Sequence, residues 1–182
     1  VFTEKTISGT SGRRVVSFKN TFFAGCASPA KIYRYSSDTT AWTEVATIDS
    51  GVADTSVEFM SAYKGALVVG TGSATAGGKI WISGNGVDFT LLTTITGTHA
   101  RCAAPLDDVL YIGTGPNGKI YSYDGANVRD VFTGLGSTIY SLVGAKKFLY
   151  VGTGEQARVY KFDPITEVAQ ILYVDSDTRV TA

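Results

Sequence analysis

Histidine and cysteine are scarce in this chain of 182 residues, which has one histidine and two cysteines. With a single histidine, His99, the sequence offers no convincing Ser-His-Asp triad, and no cluster of histidine and cysteine supplies the ligands of a zinc site. His99 stands in a polar Thr-His-Ala segment, where we expect a surface loop. The sequence therefore indicates no cofactor, no metal site and no catalytic residue.

Net charge and long apolar runs are also missing. Lysine plus arginine and aspartate plus glutamate each number 16, so the formal charge is zero. No basic run provides the phosphate-binding surface that nucleic acids require. No apolar run approaches the roughly 18 residues of a membrane span, and there is no signal-peptide apolar region. We therefore expect no nucleic-acid partner and no membrane span.

The two cysteines, Cys26 and Cys102, fall in different parts of the repeat pattern described below. A disulfide needs Cα atoms within about 7 Å of each other, and these positions should lie farther apart. We expect two small, mostly buried thiols. Cysteine usage consequently leaves the cellular compartment open.

Glycine and aromatic residues are plentiful, with 21 glycines and an aromatic fraction of 12%. Together with a hydrophobic fraction of 44%, they exclude disorder and favour a globular fold with many tight turns. A chain of this length buries roughly 70% of the surface that its unfolded form exposes. We expect one domain over 1–182.

One pattern, seen most fully as LYIGTGPNGKIYSYD at Leu110–Asp124, recurs four times. Its equivalent glycines are separated by 45, 43 and 39 residues and are Gly25, Gly70, Gly113 and Gly152. Each repeat reads as four strands without a helix, and that period is typical of β-propeller blades. Both faces of the LYIG-type strands are apolar, which indicates sheets covered on both sides.

The predicted fold is an all-β, propeller-like array of four four-stranded blades in which helix is nearly absent. First strands should begin near Val15, Val57, Cys102 and Tyr140. The repeats are expected at about 10–52, 53–97, 98–136 and 137–176. The terminal strands 1–8 and 177–182 match the fourth and the first strand of a repeat, so they form an incomplete blade split between the two ends.

The turn sequences carry a family resemblance. SGNGVDF at Ser83–Phe89 and SSDTTAW at Ser36–Trp42 approach an S-x-D-G-x-x-W pattern, while Asp124-Gly125 and Asp163-Pro164 keep only the turn. With the hydrophobic-Gly-x-Gly strands, these segments resemble bacterial and phage β-propellers of the kelch and Asp-box (sialidase-type) superfamilies. The resemblance covers nearly the whole chain and implies a propeller, whereas such turns occur in enzymes and non-enzymes alike.

Four residues stand 12 positions before the repeat glycines and are the candidate ligand-binding set: Arg13, Glu58, Arg101 and Tyr140. If they converge, two guanidiniums, a carboxylate and a phenol could hold an acidic sugar, because arginine pairs bidentately with carboxylates. The resemblance to sialidases, which use an arginine cluster, points the same way. The favoured interpretation is instead that these residues pair between neighbouring blades and set their register.

Three further sets of residues are expected to be structural. The aromatic residues at one repeat position, Tyr33, Trp81, Tyr121 and Tyr160, should pack in the core. The residues of the hairpin turns, Asp38, Asn85, Asp124 and Asp163, should form Asx turns, since one per hairpin is too few for calcium. The one longer loop, Ser73–Gly78, has small uncharged residues and reads as an ordinary hairpin tip.

We therefore expect a non-catalytic structural or interaction module rather than an enzyme. By family habit it would be extracellular or associated with a cell surface or virion. The alternative is a glycan-binding or glycan-hydrolysing, sialidase-like propeller. Exposed terminal strands recruit other strands, so we expect partners through strand edges, either other copies joined head to tail or a neighbouring protein. A self-closed ring and a fragment of a longer propeller are the competing interpretations of the ends.

Overall fold

The structure of the chain is a computed structural model that describes residues 11–49, 51–52, 55–155 and 157–174. The predicted terminal strands, 1–8 and 177–182, lie outside these residues. The described part contains sixteen strands and no helix. The expectation of an all-β chain is therefore confirmed.

The chain divides into two compact units, Val1–Thr94 and Ile95–Ala182. The strands of the first unit are β1 (Ser11–Phe18), β2 (Thr21–Ala27), β3 (Lys31–Ser36), β4 (Ala41–Thr47), β5 (Ser56–Tyr63), β6 (Ala66–Gly72), β7 (Lys79–Ser83) and β8 (Thr90–Thr94). The strands of the second unit are β9 (His99–Leu106), β10 (Val109–Gly115), β11 (Ile120–Tyr123), β12 (Val128–Phe132), β13 (Ile139–Ala145), β14 (Phe148–Thr153), β15 (Arg158–Asp163) and β16 (Val168–Val174).

Consecutive strands pair antiparallel in groups of four, β1–β4 and β5–β8 in the first unit and β9–β12 and β13–β16 in the second. Each first strand begins within four residues of its predicted start. A bridge between Ala27 and Ser56 joins the two groups of the first unit. The number of blades and the single domain over 1–182 stay predictions.

Tight turns connect the first two strands of each group. Between β5 and β6 the turn residues Lys64 and Gly65 have φ angles of 44° and 75°. Positive φ at both central residues matches the right-handed twist of the flanking strands. Lys19 and Asn20, with φ angles of 48° and 60°, make the same turn between β1 and β2.

The four groups share one register. The repeat glycine of each second strand lies opposite an apolar β-branched residue of the third strand, in the pairs Gly25 with Ile32, Gly70 with Ile80, Gly113 with Ile120, and Gly152 with Val159. Because directly paired residues point to the same side of a sheet, equivalent side chains fall on equivalent faces. Each group of four strands has two faces. We call the face that carries Phe22, Leu67, Leu110 or Leu149 the leading face of its group. The opposite face, which carries Phe23, Val68, Tyr111 or Tyr150, is the trailing face.

Each unit has its own core, built by the same rule. In the first unit, Phe23 and Ile32 from the trailing face of β1–β4 pack with Leu67 and Val69 from the leading face of β5–β8. In the second unit, the trailing face of β9–β12 packs with the leading face of β13–β16 through Tyr111, Ile120, Leu149, Val151 and Phe162. A trailing face therefore covers the leading face of the following group.

The repeat glycines allow these faces to approach closely. A Cβ atom built on Gly113 would lie 2.6 Å from Cγ2 of Ile139 and 2.9 Å from Sγ of Cys102. The equivalent atom on Gly25 would lie 2.5 Å from Cγ1 of Val57. Val57 and Ile139 are themselves equivalent, each being the last residue before a candidate ligand-binding position. The glycine thus makes room for the first strand of the next group.

Candidate functional site

The four candidate ligand-binding residues share a feature that their sequence position did not reveal. In every first strand, one residue is skipped in the pairing with the second strand. The paired residues on either side of the skipped one are Gly12 and Arg14, Val57 and Phe59, Ala100 and Cys102, and Ile139 and Ser141. The skipped residues are Arg13, Glu58, Arg101 and Tyr140. Each candidate is therefore the extra residue of a β-bulge, a device that redirects a side chain and often lies beside functional sites.

Two of the candidates meet in the first unit. Nη1 of Arg13 lies 3.8 Å from Oε1 of Glu58, whose side chain is only 3% exposed. The Ser56 hydroxyl donates a hydrogen bond of 2.6 Å to the same carboxylate oxygen. Nε of Arg14 donates to the Glu58 carbonyl at 2.5 Å. A buried carboxylate needs such partners, so this arrangement ties β1 to β5.

The other two meet in the second unit. The Arg101 guanidinium lies 5.5 Å from the centre of the Tyr140 ring, within the range of a cation–π interaction. This contact joins β9 to β13, just as the contact between Arg13 and Glu58 joins β1 to β5. The structure therefore brings the four residues together as two pairs, one in each unit. Their role in binding a ligand stays a prediction.

Sequence reasoning missed a polar cluster that recurs at the outer strands. Nζ of Lys31 lies 2.8 Å from Oε2 of Glu44, and the Thr47 hydroxyl donates to Oε1 of Glu44 at 2.8 Å. The equivalent Lys119 lies 2.7 Å from Oδ2 of Asp130. The available signal was a basic residue at the start of each third strand or just before it, as Lys31, Lys79, Lys119 and Arg158.

The pKa values in this cluster follow from its hydrogen bonds. The Lys31 ammonium, followed by the Thr47 hydroxyl, lowers the pKa of the Glu44 carboxyl below its ordinary value. The same hydrogen bond to Glu44 raises the pKa of Lys31. The hydrogen bond to Asp130 likewise raises the pKa of Lys119. These pairs are partly exposed to solvent, so each contributes modestly to stability.

The second and fourth repeats depart from this pattern, and β8 carries the apolar Leu91 at the position of Glu44 and Asp130. Ile171 of β16 lies opposite Tyr160, at the position that Glu44 and Asp130 occupy in their groups. Five large apolar side chains of β16 are about half exposed: Val168, Ile171, Leu172, Tyr173 and Val174, at 48% to 59%. Among the described residues, β16 pairs with β15 and forms the end of its sheet. It is an apolar strand at a sheet edge.

The recurring aromatic residues are core residues, as predicted. Tyr33, Tyr121 and Tyr160 are at most 8% exposed, and Trp81 is half-buried against the core of the first unit. The polar tips of the tyrosines have partners inside their own unit. The Tyr33 hydroxyl donates to Glu44 at 3.3 Å, and the Tyr121 hydroxyl accepts from the Thr96 backbone N–H at 3.1 Å. This pairing suits a buried tyrosine.

Asx turns are confirmed at three of the four predicted positions. Oδ1 of Asn85 accepts the backbone N–H groups of the residues two and three positions later, both at 2.9 Å. Asp124 and Asp163 do the same in their own turns. The N–H of Ile165 lowers the pKa of Asp163. For Asp38 the contact is a hydrogen bond from the Ser37 hydroxyl at 3.3 Å.

The histidine, the two cysteines and the longer loop are the remaining features that the sequence pointed to. His99 is half-buried in β9, so the expected surface loop is wrong; the residue pairs with Gly115 as the strand begins. Cys26 and Cys102 are both thiols, and burial raises the pKa of Cys26. The loop at Ser73–Gly78 is a turn closed around the Ser73 hydroxyl, which accepts the Ala76 N–H at 2.8 Å.

A metal-binding cluster and a membrane-spanning helix are both absent from the described residues. No group of three or more histidine, cysteine, aspartate or glutamate side chains is placed to hold a metal ion in the part of the chain that the structure describes. Within the same residues there is no helix with the length and hydropathy needed to cross a membrane.

The strand order and repeated register define an all-β chain of the propeller class. Its structure is similar to β-propeller-like solved structures. It matches the nidogen/laminin complex (TM-score 0.68, 14% identity, 96% of this chain and 68% of that one) and the luciferin-regenerating enzyme (0.65, 15%, 97% and 66%). It also matches the computationally designed Ika8 protein (0.63, 17%, 94% and 51%).

The chain spans between about half and two thirds of the length of these matched structures. No family profile and no curated protein matches its sequence. At such low identity the likeness shows the fold alone. A propeller-like fold serves interaction modules and enzymes alike, so function has to be argued from the residues of this chain.

Proposed function

We propose that the protein is a non-catalytic structural or interaction module whose partners, other copies of itself or a neighbouring protein, bind through strand edges. The observation that carries this proposal is β16 (Val168–Val174), which among the described strands ends its sheet and has five half-exposed large apolar side chains. Unpaired N–H and C=O groups along an edge form hydrogen bonds with an added strand, and exposed apolar side chains supply the burial that holds it.

The differences between the outer strands of the repeats support β16 as the binding surface. The outer strands of the first and third repeats carry Glu44 and Asp130 in ion pairs with lysines, and charged residues protect an edge from association. At the same position β16 carries Ile171. Of the outer strands that the structure describes, β8 and β16 both lack the protecting charge, and β16 exposes five large apolar side chains where β8 exposes Leu91.

The finer parts of the proposal are assembly and location. Assembly would proceed head to tail through the terminal strands Val1–Ser8 and Asp177–Ala182, in an extracellular, cell-surface or virion setting. The turn at Ser83–Phe89 supports an Asp-box relationship, because the Ser83 hydroxyl accepts the Gly86 N–H at 2.8 Å and Asn85 caps the residues that follow. Recovery of the protein from a surface or particle fraction by mass spectrometry would test the location.

The decisive experiment compares Ile171→Glu with Leu91→Glu by light scattering and circular dichroism. The two side chains occupy the same repeat position and are 48% and 44% exposed. Ile171→Glu should weaken association while the β spectrum is retained, because it introduces the negative charge that the first and third repeats carry at this position. Leu91→Glu should leave the particle mass unchanged.

Deletion of Val1–Ser8 tests the terminal strand separately. It should abolish oligomers and leave a folded core. A wild-type chain that remains a monomer at all accessible concentrations and binds no protein partner would contradict the proposal, as would glycoside turnover by the purified chain.

A further inference from the structure

The leading face of β1–β4 exposes a residue that its equivalents bury completely. Phe22 is 53% exposed, whereas the residues at the same position of the other repeats, Leu67, Leu110 and Leu149, are all 0% exposed. Val15, on the same face, is 69% exposed. Tyr35 and Trp42, which lie on the same face, have their rings 5.4 Å apart and are only half-buried. The outer part of this face therefore has the composition of a core and the exposure of a surface, whereas Ala24, Cys26 and Tyr33 on the same face are buried.

The trailing face of β13–β16 shows the complementary feature. Val143 is 50% exposed, whereas Ala104, its equivalent in the third repeat, is 5% exposed. Tyr150 is half-buried, although its equivalents Phe23 and Tyr111 are 1% and 8% exposed. A groove of about 310 Å³ runs along the outer part of this face, and its lining includes the side chains of Phe148, Lys161, Val168 and Gln170.

The cores of the two units show what each of these faces packs against. In both units a trailing face packs on a leading face, with Phe23 and Ile32 against Leu67 in one and Tyr111 against Leu149 in the other. A trailing face that lacks a cover therefore has the shape and composition to receive a leading face. Among the four strand groups that the structure describes, the leading face with exposed apolar residues at Val15 and Phe22 is that of β1–β4.

We propose that the leading face of β1–β4 in one copy of the chain packs on the trailing face of β13–β16 in a second copy. This interface presupposes the interaction role proposed above and names the partner. It differs from strand addition, because side chains on the faces of sheets make the contact and no backbone hydrogen bonds between copies are needed. The contact is head to tail and joins different surfaces of the two copies.

A second copy fits better than an unrelated protein, because its exposed leading face carries the aromatic and aliphatic residues that trailing faces already bury in both cores. Phe22 in particular is larger than the leucines that fill its equivalent positions. It would lie against Val143 and Tyr150, which are more exposed than their equivalents in the third repeat.

Complementary charge variants test this interface. Phe22→Lys and Val143→Glu each alter one of the two faces, and both side chains are half exposed, so both variants should fold. Each alone should weaken self-association by roughly 100-fold or more, because it buries an unpaired charge. An equimolar mixture should recover assembly, because one pair of unaltered faces remains and the altered pair brings Lys against Glu.

The control is Ile165→Lys, which places the same charge on a side chain that is 84% exposed in the turn before β16. Mass is measured by analytical ultracentrifugation, and folding by circular dichroism. Wild-type mass in both single variants, or failure of the mixture to associate, would overturn the interface.

The outcomes also separate this interface from the proposed function. Association that resists both face variants but disappears in Ile171→Glu, or on deletion of Val1–Ser8, would reject face packing and keep the proposed strand-edge role. A monomeric wild type would overturn the interface between copies. The proposed interaction role would then require binding to a different protein. Glycoside turnover would overturn the proposed function whatever the particle mass.

Discussion

Single glycines set how closely the strand groups of each unit approach. Gly25 and Gly113 occupy the same repeat position, and in both a methyl group would meet the first strand of the next group at under 3 Å. Gly84 is a contrasting case, since nothing lies within 4 Å of a Cβ atom built on it. The two kinds of glycine therefore make a direct comparison possible.

We predict that Gly113→Val lowers the free energy of unfolding by about 1 to 3 kcal/mol or more, through overpacking against Ile139 and Cys102. Gly84→Val, which meets no neighbour, should cost much less. Urea denaturation followed by circular dichroism measures both. Equal losses in the two variants would contradict the close-approach role of Gly113.

In the cluster of Lys31, Glu44 and Thr47, the ionisation of Glu44 makes the stability of the fold depend on pH. The pKa of Glu44 in the folded state lies below its ordinary value of 4.5, first because of Lys31. A depressed carboxyl pKa contributes stability above the pKa of the unfolded chain, and that contribution disappears as the pH falls through the folded value.

Accordingly, Glu44→Gln should be less stable than wild type at neutral pH, and the difference should shrink as the pH falls below 4.5. Glu167→Gln, in the exposed turn before β16, is the control. The measurement is the midpoint of urea unfolding across the acid range. A difference that is independent of pH would show that the Glu44 contribution is not ionic.

The strands themselves were predictable, because apolar runs, repeat glycines and hairpin turns all recur with one period. The LYIG-type runs gave the second strands, and the turn residues fixed both ends of the hairpins. Tyr33 and Tyr160 could be assigned to the core for the same reason, since a residue that recurs in every repeat is usually packed between sheets.

The bulges and the apolar edge were not predictable in this way. A bulge changes pairing by one residue without changing composition, so Arg13 and Glu58 looked like ordinary strand residues. His99 was misassigned to a loop because its polar neighbours hid the start of β9. The exposure of Ile171 depends on which strand ends the sheet, and a periodic pattern treats all outer strands alike.

The hairpin turn at Ser83–Asp88 is an element whose stability rests on one side chain. Oδ1 of Asn85 accepts two backbone N–H groups, and Nδ2 of Asn85 donates to Asp88 at 2.7 Å. Gly86 has a φ of 78° and faces the Phe23 ring, which links the turn to the core.

Asn85→Ala should therefore cost about 0.5 to 2 kcal/mol, the range found when a side-chain cap of backbone N–H groups is lost. Asp38→Ala, in the equivalent turn of the first repeat, should cost less, because its contact is a 3.3 Å hydrogen bond from the exposed Ser37. Thermal unfolding of both variants gives the comparison. A larger loss in Asp38→Ala would reverse the assignment.

At the scale of the whole molecule, the fold is widely shared and the surfaces are particular. Neighbours at 14% to 17% identity include an enzyme, a complex between two proteins and a designed protein. The distinctive features of this chain are instead the exposed Phe22 and Val143 faces and the apolar β16.

Replacement of the bulge residue Arg101 distinguishes a structural role of this residue from a catalytic one. Its guanidinium packs on the Tyr140 ring at 5.5 Å and ties two strand groups of the second unit. Loss of a cation–π contact and of the packing of its side chain should lower the free energy of unfolding by about 1 to 2 kcal/mol. We therefore predict that Arg101→Ala changes stability or assembly more than it removes any hydrolytic activity.

The matched control is Arg129→Ala, on the exposed surface of β12, which should leave stability within about 0.5 kcal/mol of wild type. Unfolding, particle mass and turnover of sialosides and other glycosides are measured on all three proteins. A wild type that hydrolyses a glycoside, together with a folded Arg101→Ala that does not, would favour the glycan-active alternative. In that case Arg13, Glu58 and Tyr140 become the next residues to replace, because they occupy the same bulge position in the other three repeats.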